Sequence, residues 1–288
     1  MPELPEVETV RLGLQKYVVG HKIQGVVILH PKIFEGDKSL VINSKITAAR
    51  RVGKGLILDL NNKYSLAIHI KLTGQLIYRG KETKKITVSP QKVGSVPGKF
   101  THVIFDLDKN AKLYYNDMRR FGWIKVVKTD DVFKLPFFKD MGPEPFANKI
   151  GSGQAHLSLG VFTKIVSKAT TKTKPLLMDQ KKIGGIGNIY ANDALYKSGI
   201  DPRRSAKSLV PTEIKKLYEA VLSVMELSLE NGGASELSFV NILGQEGNYQ
   251  NHTLIYGKTG QKCKKCGSTV KFFKLAGRGT YMCPSCQR

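Results

Sequence analysis

The sequence predicts an α+β protein whose two halves differ in structure, and three observations support this class. Val7, Val10 and Leu14 recur at helical spacing near the amino terminus. Short apolar runs bounded by Gly, Asn, Asp or Lys follow over residues 22–128 and are typical of antiparallel strands in a sandwich or barrel. Helical spacing then returns after residue 153, and a segment with four cysteines that can form a β-hairpin follows it.

The apolar pattern gives the predicted elements and domain boundaries. We expect a first helix over 4–18, ended by Gly20. Seven strands are predicted, at 24–30, 44–52, 55–60, 65–72, 102–107, 111–116 and 122–127. Residues 129–153 contain three prolines and three glycines, which is typical of a connection between domains. We therefore predict a domain at 1–135, a linker at 136–153, a helical domain at 154–240 and a carboxyl-terminal part at 241–288.

Four helices are predicted in the second half, at 159–169, from 175, at 188–197 and at 214–229. Thr212 is a possible N-cap of the last helix, and Gly232-Gly233 would end it.

The charge of the chain indicates a polyanionic partner. Lysine and arginine number 46 against 23 acidic residues, a formal net charge of +23. Nucleic acid fits this surplus best, because phosphates release counterions when they are neutralised. A membrane surface is the weaker alternative, and no run of 18 apolar residues predicts a membrane span. The chain starts without a basic-then-apolar signal pattern, so we expect a cytoplasmic protein.

The four cysteines are arranged as Cys263-x2-Cys266 and Cys283-x2-Cys286. Two such pairs offer four thiolates to one ion, which favours a single structural Zn²⁺ without a catalytic open position. Two disulfides are the alternative, and they are rare in the cytosol. Residues 269–275 and 280–282 can form a hairpin between the pairs. Its turn would present Lys274, Arg278 and Gly279 to phosphate.

The opening residues offer a nucleophile. Removal of Met1 would leave Pro2 with a secondary amine, and such an amine forms an iminium ion with an aldehyde-level carbon. Glu3 would stand beside it as an acid or base. The alternative is a proline-rich, acidic helix start, which this stretch taken alone favours.

Three further patterns permit contact with nucleic acid. The turn at 183–187 leads into a helix at Asn188, where backbone N–H groups can bind phosphate; tight packing is the alternative. Residues 116–123 place Arg119 and Arg120 beside Phe121, either as a groove wedge or as a strand turn with Phe121 or Trp123 in the core. Lys54 lies between two glycines and is either held against a ligand or solvated. His69 is interpreted as a core histidine.

Taken in order, these patterns resemble the bacterial formamidopyrimidine-DNA glycosylases, relatives of the endonuclease VIII enzymes. The resemblance extends over essentially the full length. The matching pieces are residues 2–8, Asn116-Asp117, 119–122, 174–179, 187–191 and the four-cysteine finger ending Cys286-Gln287-Arg288. At Leu4 and Val7 the sequence resembles the formamidopyrimidine branch rather than the endonuclease VIII branch.

The resemblance implies a β-sandwich, a helix-two-turn-helix module and a zinc finger in a monomer that holds double-stranded DNA containing oxidised bases or abasic sites. It implies excision of 8-oxoguanine and formamidopyrimidines, then strand cleavage, at the bacterial nucleoid. Pro2 would be the nucleophile, Glu3 the acid and base, and Lys54 the lysine near the lesion phosphate. The implied DNA contacts are the wedge Leu72, Arg119 and Phe121, the phosphate ligands Asn188 and Arg278, and the basic position Lys174.

Some positions depart from the family pattern. Leu72 stands where Met is usual, and Met118 stands where Pro is frequent. Residues 232–239 lack the Thr and Arg common in the loop that caps the lesion. These departures leave open an endonuclease VIII-like enzyme for oxidised pyrimidines. A non-catalytic zinc-ribbon protein that binds damaged DNA is a separate alternative.

Overall fold

The computed structural model describes residues 1–146 and 155–288. They divide into two compact units, one formed by Met1–Lys139 with Ser228–Gln250 and the other by Asp140–Leu227 with Asn251–Arg288. The predicted linker at 136–153 lies partly outside the described residues, and the predicted domain boundaries stay a prediction. No helix in the described ranges is both long and apolar enough to cross a membrane.

The first unit contains two helices and two sheets. The helices are α1 (Leu4–Tyr17) and the short α2 (Pro136–Lys139). The strands are β1 (Ile23–Ile28), β2 (Phe34–Glu35), β3 (Ile46–Val52), β4 (Gly55–Leu60), β5 (Tyr64–His69), β6 (Gly74–Arg79), β7 (Thr101–Leu107), β8 (Ala111–Asp117) and β9 (Trp123–Lys128). One sheet has the order β1-β7-β8-β6 and the other β2-β9-β5-β4-β3. Only the short β2–β9 pair is parallel among the described strands.

The inner faces of both sheets share one apolar core, so the predicted sandwich is confirmed. Val7, Val10 and Leu14 of α1 belong to that core, as their helical spacing predicted. Strands β2 and β6 were not predicted. In β6 the first five residues are all buried, because Leu76 and Tyr78 face the core while Ile77 packs in a second cluster on the other side. The sequence of β6 therefore lacks the apolar–polar alternation of a half-exposed strand.

The second unit is helical and ends in a hairpin. Its helices are α3 (Leu159–Ser167), α4 (Thr173–Met178), α5 (Asn188–Ser198) and α6 (Pro211–Glu230), and its strands are β10 (Lys271–Leu275) and β11 (Arg278–Met282). The possible N-cap at Thr212 is wrong, because α6 already begins at Pro211. Glu213 instead accepts the Val210 N–H at 2.9 Å and satisfies one donor at the helix start.

Candidate active site and nucleic-acid interface

The amino terminus is buried rather than frayed. Pro2 is buried, and Glu3 is 3% exposed directly before α1. The carboxylate of Glu6 accepts the Glu3 N–H at 2.7 Å and the Ala234 N–H at 2.8 Å. This bridge fixes the backbone that carries Pro2 and Glu3. Sequence reasoning missed Glu6, although a glutamate three residues after an N-cap is a known capping signal.

Lys54 lies in the turn between β3 and β4 and is only 4% exposed, so the solvated-lysine alternative is wrong. The neighbouring Arg51 is fully buried and donates to Glu8 Oε2 at 3.0 Å and to Gly53 O at 2.9 Å. Through these bonds Arg51 ties α1 to the turn that carries Lys54. Neither Glu8 nor Arg51 was singled out from the sequence, because only the folded chain brings them together.

The loop after β8 is shaped by Asp117, which is fully buried. Its carboxylate accepts the Thr73 hydroxyl at 2.5 Å, the Arg119 N–H at 3.2 Å and the Gly122 N–H at 2.8 Å. A Cβ on Gly122 would stand 1.8 Å from the Tyr115 hydroxyl, so only glycine fits. The bond to Thr73 holds the turn before β6 against the loop after β8.

This arrangement places the three predicted wedge residues at one end of the β6–β8 pair. Leu72 is half-buried in the turn before β6, next to Thr73. The Arg119 guanidinium lies 4.7 Å from the centre of the Phe121 ring, and Phe121 is 57% exposed. Phe121 is therefore not a core residue. An exposed ring supported by a cation is suited to insertion between bases.

His69 is a core histidine, as predicted. It is 3% exposed, and its Nδ1 accepts the Lys71 N–H at 2.8 Å. Its ring contacts Phe137 edge-on, with 4.5 Å between the ring centres. Burial, with smaller effects from the charges of Lys71 and Lys54, lowers the pKa of His69 to about 3. The imidazole is therefore neutral at pH 7.

The glycine-rich turn before α5 is held by Gln180. Its side-chain amide donates to Ile186 O at 2.7 Å and accepts the Gly185 N–H at 3.0 Å. Gly187 precedes the helix, and Asn188 is its first residue. The turn therefore presents a helix amino terminus, where N–H groups and the helix dipole favour phosphate.

Lys174 is 1% exposed and lies in the interior of the second unit. Its ammonium donates to Gly279 O at 2.6 Å and to the Thr280 hydroxyl at 2.8 Å. These bonds fasten α4 to β11 and give Lys174 a positioning role. A direct contact with DNA stays a prediction.

Asn192 forms a second link to β11. It donates to Asn188 O at 2.6 Å and accepts the Tyr281 N–H at 2.9 Å, so α5 and β11 are linked. Arg278 begins β11 and is exposed beside the two-residue turn of the hairpin. The two predicted phosphate ligands, Asn188 and Arg278, thus belong to elements that one side chain joins.

The four sulfur atoms of the finger converge on one point. Cys263, Cys266, Cys283 and Cys286 place their Sγ atoms within 4.8 Å of one another. The separations are 3.8 Å for Cys263–Cys286 and 3.4 Å for Cys266–Cys283. A disulfide needs about 2 Å, whereas tetrahedral Zn–S bonds of about 2.3 Å put sulfurs about 3.8 Å apart. The donor set therefore fits one zinc ion and excludes the disulfide alternative.

Comparisons with known proteins agree with this architecture. Family models match the formamidopyrimidine-DNA glycosylase N-terminal domain at residues 1–124, its H2TH domain at 141–239, and the zinc finger found in FPG and IleRS at 260–288. The last match identifies the four cysteines as a structural zinc site.

Full-length relatives and solved structures match the same family as the family models. The formamidopyrimidine-DNA glycosylase of Pelotomaculum thermopropionicum is 37% identical over 100% of this chain and 99% of its own length. The Lactococcus lactis Fpg (MutM) complex with N7-benzyl-Fapy-dG DNA matches with a TM-score of 0.84 and 31% identity over 100% of both chains. A MutM complex with carbocyclic 8-oxo-G DNA matches with a TM-score of 0.83 and 30% identity over 100% of both chains. The chain belongs to the formamidopyrimidine-DNA glycosylase family.

Proposed function

We propose that this chain is a bifunctional DNA glycosylase and abasic-site lyase of base excision repair that removes oxidised purines. The observation that carries the proposal is the buried Pro2-Glu3 terminus, braced by Glu6, in the same unit as the exposed Arg119–Phe121 wedge. The solved relatives hold DNA with N7-benzyl-Fapy-dG and with carbocyclic 8-oxo-G, both modified purines. A protein with this substrate works on the chromosome, so we place it in the cytoplasm at the nucleoid.

The reaction uses groups of the chain alone. A base inside a duplex cannot be attacked at C1′, so the lesion is first extruded at a cost of about a few kcal/mol. Leu72, Arg119 and Phe121 fill the gap and offset that cost. The Pro2 amine attacks C1′ and displaces the base, while Glu3 protonates the sugar ring oxygen as the ring opens. The iminium makes the C2′ proton acidic, and two eliminations then release the 3′ and 5′ phosphates.

Binding groups hold the DNA for this chemistry. Lys54 lies near the lesion phosphate, Asn188 and Arg278 hold flanking phosphates, and Lys174 supports the hairpin of Arg278. The zinc holds the finger in shape and takes no part in the reaction. Residues 232–239 cover the extruded base.

Borohydride trapping tests the proposal. The processed protein, with Met1 removed, should form a reduced covalent complex with a duplex that contains 8-oxoguanine. Pro2→Gly should lose most of the trapped complex and Glu3→Gln most base excision, whereas the exposed Glu35→Gln should retain both. Absence of trapping by the folded, processed protein would contradict the proposal and favour a binding-only role. A panel of oxidised purines and pyrimidines separates the two enzyme classes.

A further inference from the structure

Side chains from distant parts of the first unit hold residues 234–239, which we name the covering segment. Gln75 of β6 donates its side-chain amide to Ser238 O at 2.7 Å. Lys92 donates its ammonium to Ser235 O. Gln75 is 5% exposed and Ser235 is 3% exposed, so the Gln75 bond is shielded from water and the Lys92 bond is partly shielded. Shielded bonds of this kind fix the backbone that accepts them.

Gln75 and Lys92 act together, and we name the pair the latch. The Gln75 amide also donates to Lys92 O at 3.0 Å, so a single amide group joins the two attachments. The Lys92 ammonium forms an ion pair with Glu246 at 3.0 Å, and Glu246 accepts the Ser89 hydroxyl at 2.6 Å. The loop that carries Lys92 is therefore itself fastened to the chain that follows the covering segment.

The covering segment lies beside groups that we assign to the reaction. Ser238 donates its hydroxyl to Leu72 O at 3.2 Å, and Ala234 shares the Glu6 carboxylate with Glu3. Lys92 and Ser238 also line a cavity of about 420 Å³ together with Thr73 and Met118, which adjoin the wedge residues. The segment thus connects the amino-terminal site with the wedge inside one unit.

We infer that Gln75 and Lys92 are positioning residues that hold the covering segment over the extruded base, and that they determine how efficiently a damaged base is excised. This inference rests on the proposed function. A loop that is already ordered pays less conformational entropy when it closes on a ligand. The covering segment itself contains no Thr or Arg. The hydrogen bonds from Gln75 and Lys92 instead hold the backbone of the segment in place.

Loss of the latch should affect two substrates differently. An intact damaged base must be held under the segment while it is excised, whereas a preformed abasic site has no base to cover. Loss of the latch should therefore slow excision and leave cleavage at an abasic site unchanged. Single-turnover rates on duplexes with 8-oxoguanine and with an abasic site measure the two steps in the same protein.

Two substitutions remove the latch. Gln75→Glu is nearly isosteric but lacks the amide donor, and Lys92→Ala removes the ammonium. Loss of one partly buried charge-assisted hydrogen bond should slow 8-oxoguanine excision by about tenfold, and Lys92→Arg should restore most of the rate. The matched controls are Gln91→Glu and Lys85→Ala, which make the same chemical changes at exposed positions of the same loop. Hydrogen exchange of the Ala234–Phe239 amides should rise in the latch variants only.

The outcomes are distinguishable. Equal slowing on both substrates would show general damage to the unit and would overturn the inference, as would unchanged excision in Lys92→Ala. If Gln75→Glu fails to fold, Lys92→Ala and Lys92→Arg still decide. A wild-type protein that cleaves neither substrate would instead refute the proposed function.

Discussion

Two buried glutamates of the first unit, Glu6 and Glu8, accept hydrogen bonds from distant parts of the chain. Glu8 accepts from Arg11 and from Arg51, and Glu6 accepts two backbone N–H groups. Hydrogen bonds to an ionisable carboxyl group are stronger than those between neutral groups, so these contacts hold the backbone and side chains in place. At the scale of single residues, the site is therefore built from matched pairs that hold the reacting groups still.

His69 should make stability depend on pH. Its pKa of about 3 in the folded protein lies below the ordinary 6.5, so the unfolded chain takes up a proton first as the pH falls. Stability is then lost from about pH 6.5 down to about pH 3. Between pH 6.5 and pH 4.5 this amounts to about 2 kcal/mol, and His69→Gln should remove this part of the loss. Urea unfolding of both proteins at pH 6.5 and 4.5 measures it. An imidazole that titrates normally in NMR spectra would contradict the prediction.

At the scale of elements, the second unit is fastened through its hairpin. Lys174 joins α4 to β11, Asn192 joins α5 to β11, and Tyr196 of α5 contacts Cys263 Sγ at 3.2 Å. These side chains connect the glycine-rich turn, the finger and the zinc site. A change in one of them should therefore reach Arg278 at the hairpin turn.

Lys174→Met tests the positioning role of this lysine. The substitution leaves Gly279 O and the Thr280 hydroxyl without their donor, so the free energy of unfolding should fall by about 2–3 kcal/mol. DNA binding should weaken together with stability, because the hairpin that carries Arg278 is loosened. The exposed Lys172→Met is the matched control for stability. A salt slope lower by about one, with stability unchanged, would instead support a direct phosphate contact.

Removal of zinc should weaken DNA binding by loosening the hairpin that carries Arg278. Loss of one charge-assisted phosphate contact is expected to reduce the affinity for lesion DNA by about tenfold or more. Cys266→Ser or chelation provides the zinc-free protein, and Ser285→Ala in the opposite knuckle serves as the control. Fluorescence anisotropy with a labelled duplex gives the Kd. Equal affinity with and without zinc would refute the prediction.

At the scale of the whole molecule, the net charge of +23 dominates interactions with polyanions. The surplus is spread along the sequence, and many lysines outside the site are exposed. Such a charge attracts any duplex, whereas we expect the wedge residues and the covering segment to select the lesion. General affinity and lesion selectivity therefore depend on different residues.

Binding to undamaged and damaged duplexes should weaken steeply as salt rises. With six to ten phosphate contacts, the affinity should fall by about a thousandfold or more between 50 and 200 mM salt. Arg278→Ala should reduce the slope of log Kd against log salt by about one. Anisotropy titrations at four salt concentrations measure both values. A flat salt dependence would mean that phosphate contacts contribute little.

The sequence by itself determined the features that local patterns encode. Helical spacing identified α1, short apolar runs identified most strands, and the two Cys-x2-Cys pairs identified the zinc site. These features could be predicted because each depends on residues that are close together in the chain. The roles of Pro2 and Glu3 were inferred from resemblance and stay predictions.

Only the tertiary structure decided which of the predicted site residues are buried and what fixes them. Lys174 is buried against partners that lie more than 100 residues later in the chain, so its burial could not be predicted from its neighbours. Phe121 is exposed in a loop whose shape depends on the buried Asp117. Strand β6 escaped prediction because distant segments cover its outer face, and the latch joins residues separated by 143 and 163 positions. Contacts between such distant residues leave no periodic signal in the sequence, because they arise from packing rather than from local conformation.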